Sequence, residues 1–196
     1  MIRIVVASSL LAAGSLMAQA NAAVILPSAA QITAAVLPAP EEFRASATVL
    51  GYDASKKLVI LQRGKGPLIC LAPDPSVAQF HVACYHKSLA AFMARGRELR
   101  ANGVKGPAVD SARFREVRRG KLKMPTMPAV LYTLTGPPGS FDAAKGTAAG
   151  ARPLFVIYVP NATGASLGIS EKPAENSPWV MSPGTPRAHI MFVPRM

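Results

Sequence analysis

Three short apolar runs open the main body of the chain, at residues 46–52, 57–63 and 67–72. The turn signals Asp53-Ala54-Ser55 and Gly64-Lys65-Gly66 separate them, and Pro73 and Pro75 close the third. Runs of this length between turn residues predict β-strands, here as an antiparallel meander. The middle run, LVILQ, is apolar almost throughout, as in a strand covered on both faces. After Cys84 the period lengthens. At about 100° per residue, Tyr85, Leu89, Phe92, Met93, Gly96 and Leu99 share one stripe, which predicts a helix ending at Asn102-Gly103. On its flank stand His86, Arg97 and Arg100, with Lys87, Arg95 and Glu98 facing outward.

A second helix is predicted from a cap at Asp110 or Ser111 to Gly120, anchored by Phe114 and Val117. Residues 129–135, 154–159 and 188–193 read as later strands, with a Gly/Ala/Pro loop over 136–152. The pattern implies an α+β fold. Its antiparallel sheet has about five to six short strands, with two helices inserted between the N-terminal meander and the C-terminal strands. No internal repeat is visible.

Ahead of this body the pattern changes twice. Arg3, an apolar run over residues 4–17 and small residues at Ala18, Ala20 and Ala22 make residues 1–22 a predicted signal peptide. The run is shorter than the roughly 20 apolar residues a spanning helix needs. No cysteine follows it closely and no arginine pair precedes it. Residues 23–45 form an apolar, partly ordered leader. Within it, prolines at 27, 38 and 40 bracket a helical piece whose Ile32 and Val36 share a face. Residues 46–196 form a single α+β domain, with no later segment apolar and long enough to span a bilayer. The expected location is therefore exported, periplasmic or extracellular.

Export changes the meaning of the two cysteines. In an oxidising compartment Cys70 and Cys84 are expected to form a disulfide, since no C-x-x-C redox pair is present. The formal net charge is +12, or +11 once Arg3 leaves with the leader. Such an excess favours anionic partners: a polymer or a membrane surface carrying phosphate or carboxylate. The candidate anion-binding residues are Arg97, Arg100, Arg113, Arg115, Arg118 and Arg119, because guanidinium grips both oxygens of such groups. Only Phe92 and Phe114 could stack on bases nearby, so sequence-specific nucleic-acid reading is not expected.

Catalytic signatures are sparse. The chain lacks G-x-S-x-G, H-E-x-x-H and a Gly-rich phosphate loop, and no cofactor is implied. Two alternatives to a binding or structural module stay open. One is a hydrolase-like His/Arg site near His86, Arg97 and His189, with histidine as general base and the loop of Trp179 close by. The other is a copper or zinc site from His81, His86, His189 and Met191, since imidazole and thioether suit Cu(I). Trp179 equally fits a plug at the edge of the core, and Asn161-Ala162-Thr163 formally matches a glycosylation acceptor. The composition favours the binding module over either alternative.

Overall fold

The structure, a computed structural model, describes residues 25–194. The predicted signal peptide lies outside the described residues. Among the described residues no helix is long and apolar enough to cross a membrane.

Pro27 precedes the first helix, α1 (Ser28–Val36), and a single turn, α2 (Glu41–Arg44), follows it. Ala34 and Ala35 are fully buried, and Ile32 and Val36 pack against the core as the sequence predicts. Gln31 ties α1 to the sheet with both ends of its amide. It donates to the Leu26 and Tyr52 carbonyls at 2.8 and 2.9 Å and accepts from the Tyr52 N–H at 2.7 Å.

The strands β1 (Thr48–Tyr52), β2 (Leu58–Gln62) and β3 (Leu68–Leu71) stand where the apolar runs place them, but not as a meander. β2 pairs antiparallel with β1, whereas β3 crosses to the other side of β1 and pairs with it in parallel. The crossing needs a path without side chains. A Cβ at Gly64 would lie 2.1 Å from the Ser46 carbonyl oxygen, and one at Gly66 would lie 2.3 Å from Ser46 Oγ.

Next comes β4 (Phe80–His86), where the sequence predicts only a loop and the start of a helix. A 3-10 turn over Lys87–Leu89 leads from it into α3 (Ala90–Ala101). Helix α4 (Pro107–Arg118) starts three residues ahead of the predicted cap. Its first residue is Pro107, whose fixed φ and missing N–H suit that position. Then follow β5 (Ala129–Gly136), the short pair β6 (Phe141–Asp142) and β7 (Thr147–Ala148), and β8 (Arg152–Tyr158). The turn α5 (Gly164–Leu167) and strands β9 (Trp179–Met181) and β10 (His189–Phe192) complete the described chain.

Eight strands form one sheet, in the order β2-β1-β3-β4-β5-β8-β10-β9, antiparallel except between β1 and β3. The α+β class stands, with more strands than predicted. α1 covers one face, over Val49, Cys70 and Cys84. α3 and α4 cover the other, packing Phe92, Phe114 and Val117 on Tyr85, Val156 and Tyr158. Cys70 and Cys84 are directly opposite across β3 and β4 and form the disulfide. It therefore joins two strands rather than a strand and a helix, and Cys84 Sγ touches the Ala35 carbonyl oxygen at 3.2 Å.

Candidate functional site

The basic residues divide into two sets with different surroundings. The inner set lies between the helices and the sheet. Arg113 is 5% exposed, its guanidinium 3.9 Å above the Phe92 ring. One of its nitrogens donates to the Phe92 carbonyl at 3.2 Å and another to Asp110. Arg187, just ahead of β10, donates to the other oxygen of the same Asp110. One carboxylate thus clamps α4 to the C-terminal strands. Burial alone would push the Asp110 carboxyl up, but the Arg113 hydrogen bond and the two guanidinium charges outweigh it and hold it below its ordinary value. Gly96 makes room: a Cβ there would sit 2.9 Å from Arg113 Nη1 and 3.2 Å from Arg100 Nη1, so the two side chains flank this glycine.

His189 and Tyr158 line the sheet side of this clamp, their rings stacked 5.3 Å apart. His189 Nδ1 is 2.7 Å from the Arg187 carbonyl oxygen, which fixes it as the protonated nitrogen. Burial lowers the pKa of His189 and raises that of Tyr158, so both rings are neutral near pH 7. A second clamp holds the helices together: Arg95 bridges Glu98 at 2.9 Å and Glu116 at 2.7 Å.

The outer set has no such partners. At about 100° per residue, Arg115, Arg118 and Arg119 fall within one arc opposite the buried Val109 and Arg113. All three are exposed, as are Lys121 and Lys123 in the loop that follows. The acids of this layer, Glu98, Asp110 and Glu116, are each engaged by Arg95, Arg113 or Arg187. Among the described residues the outer five cations form no salt bridge. Arg100 is exposed beside Gly96, while Arg97 is half-buried and donates weakly to the Tyr85 hydroxyl at 3.4 Å.

Of the six candidate arginines, the structure therefore gathers Arg115, Arg118 and Arg119 on one open face and places Arg113 in the core. The histidines do not gather. Strand alternation puts His86 on the α1 face and His189 on the helix-layer face, with β5 and β8 between their strands. His81 shares the face of His189 but pairs with Thr135, six residues along β5 from the row of His189. That is roughly 20 Å along the strand. His81 Nδ1 meets Thr135 Oγ1 at 2.8 Å, and His86 Nδ1 meets Ser88 Oγ at 2.8 Å. Met191 is half-buried in the helix-side core. Among the described residues no three His, Cys, Asp or Glu side chains are grouped to hold a metal ion. Trp179 is 8% exposed at the end of the sheet, as the core-plug reading has it.

Sequence reasoning marked the loop of Trp179 to His189, which holds Arg187, but missed Asp110 as the carboxylate that Arg187 shares with Arg113. Only the i, i+3 spacing of Asp110 and Arg113 hinted at their contact.

The chain matches no family model, no curated protein and no solved structure.

Proposed function

We propose that this protein is an exported binding module that docks on an anionic polymer or membrane surface through the outer face of α4. One observation carries the reading. The acids of the helical layer are bridged by Arg95, Arg113 and Arg187, which leaves Arg115, Arg118, Arg119, Lys121 and Lys123 exposed together and, among the described residues, without a salt bridge. A cluster of this kind attracts phosphate or carboxylate groups, and arginine binds them through paired N–H donors. The N-terminal signal pattern and the disulfide support the exported setting.

The hydrolase-like and metal readings both need His86 and His189 to meet, or His81 to join them. But His86 lies on the opposite face of the sheet from the other two, and His81 is roughly 20 Å along the strands from His189.

Binding to heparin and to vesicles with anionic lipid tests the docking face. The triple reversal R115E/R118E/R119E is expected to abolish retention at physiological salt. Reversal of three exposed cations near the β2 edge, K57E/R63E/K65E, changes net charge equally and is expected to leave most binding intact. Equal loss in both variants would mean that total charge, not this face, drives the association.

A further inference from the structure

A cavity elsewhere in the molecule is unused by the basic face. The chain ahead of α1, the end of β1, the β3–β4 loop and the β5–β6 turn converge around a space of about 630 Å³. Small-molecule sites commonly occupy roughly 300–1,000 Å³. The walls are apolar and stiff. Pro73, Pro75 and Pro138 have fixed φ, and Phe80 and Phe141 stack with ring centres 5.8 Å apart. Val77 lines the same space and is 52% exposed, a large apolar side chain left at the opening.

Within these walls the polar groups are few. Gln31 is fully engaged with the backbone of Leu26 and Tyr52. Asp74 is the one charged lining residue, and it forms no salt bridge among the described residues. Ser76 orients its carboxylate, donating from N and Oγ to Oδ1 at 2.8 and 2.6 Å. Tyr52 stands beside it. Burial, and then the Asp74 charge, push its phenol up to about 12, so it remains a hydroxyl at neutral pH.

We infer that this cavity binds a small hydrophobic amine, its apolar body against the proline and phenylalanine walls and its ammonium on Asp74. Asp74 is exposed at the opening, and an ammonium–carboxylate hydrogen bond there is still stronger than its neutral counterpart. The positive charge of the whole molecule opposes a cation only weakly here. Exposed charges farther than about 8 Å are screened at physiological ionic strength. Arg97 acts on the Tyr52 phenol but makes no salt bridge to Asp74. The site thus selects the charge opposite to that chosen by the α4 face.

Calorimetric titration of the full chain with 4-phenylbutylamine, 4-phenylbutanol and 4-phenylbutyrate tests this. The amine is expected to bind about tenfold tighter than the alcohol, with the carboxylate weakest. Asp74→Asn should erase the amine's advantage and leave alcohol binding and heparin retention in place. Val77→Lys, at an exposed position with little bearing on folding, sets a competing ammonium at the opening and should weaken only the amine. Equal affinity for amine and alcohol, or an advantage that survives Asp74→Asn, would overturn the assignment. So would the absence of binding by all three probes.

Discussion

Asp110 is shared by two guanidinium groups of unequal burial, so the three residues of the clamp respond differently to substitution. Asp110→Asn strands Arg113, whose side chain is only 6% exposed, without its counter-charge. The expected loss is about 2–3 kcal/mol, below that of a fully buried pair because Asp110 itself is partly solvated. Arg113→Met leaves Asp110 paired with the more exposed Arg187 and fills the space over Phe92 with apolar surface. It should cost less than about 1 kcal/mol. Urea unfolding of the two variants checks the order, and the reverse order would disprove the shared-carboxylate reading. The same residues set a pH dependence. Because burial lowers the pKa of His189 from 6.5, the unfolded chain binds the proton more readily than the folded one. Stability from neutral His189 is full above 6.5 and declines as pH falls toward the lower folded value. Asp110 adds a second acid loss, which begins only near its ordinary value of 3.8. Melting temperature measured between pH 7.5 and 5 should fall in the native protein and fall less in His189→Phe, which preserves the stack on Tyr158.

At the scale of elements, the disulfide joins β3 to β4 at adjacent positions, closing the loop that carries Pro73 and Pro75. Replacing both cysteines by alanine should cost roughly 3 kcal/mol, mainly through a freer unfolded chain. For a domain of this size, thermal melting should drop by roughly 10 °C. Most elements were legible because their periodicity is local. The apolar runs at β1, β3, β5, β8 and β10, and the stripe of α3, all read correctly. β2 stands where its run predicts, but as an edge strand with no buried residue and Ile60 44% exposed, not as one covered on both faces. β4 did not read as a strand, because Tyr85, Leu89 and Phe92 continue the helical stripe backward into it. Its true signal was the alternation of buried Phe80, Val82 and Cys84 with the less buried His81 and Ala83. The parallel pairing of β1 and β3 was hidden for another reason: strand order depends on a crossing at Gly64 and Gly66, not on apolar pattern. Arg113 looked like one more surface cation because its second constraint, Arg187 on the same carboxylate, lies 77 residues beyond Asp110.

Across the whole molecule, charge is distributed by layer. In the helical layer Glu98, Asp110 and Glu116 are held in clamps and the cations without salt bridges lie outside them, so association through that layer should respond to salt far more than folding does. With five cations on the docking face, the logarithm of heparin affinity should fall with the logarithm of salt at a slope of about 4. Stability measured over the same salt range should change little, since buried pairs are weakly screened. A shallow slope for the native protein would point to apolar docking instead.

The burial of the Cys70–Cys84 bridge has a consequence for how it meets reductants. Both cysteines are fully enclosed, with α1 lying across them. A thiolate must reach a sulfur directly to exchange with it. In the native protein that approach opens only when the first helix lifts off the sheet. The half-life of the bridge under mild dithiothreitol therefore clocks how often that helix leaves its seat, and a variant such as Ala35→Asp should shorten it severalfold while the pairing stays in place without reductant.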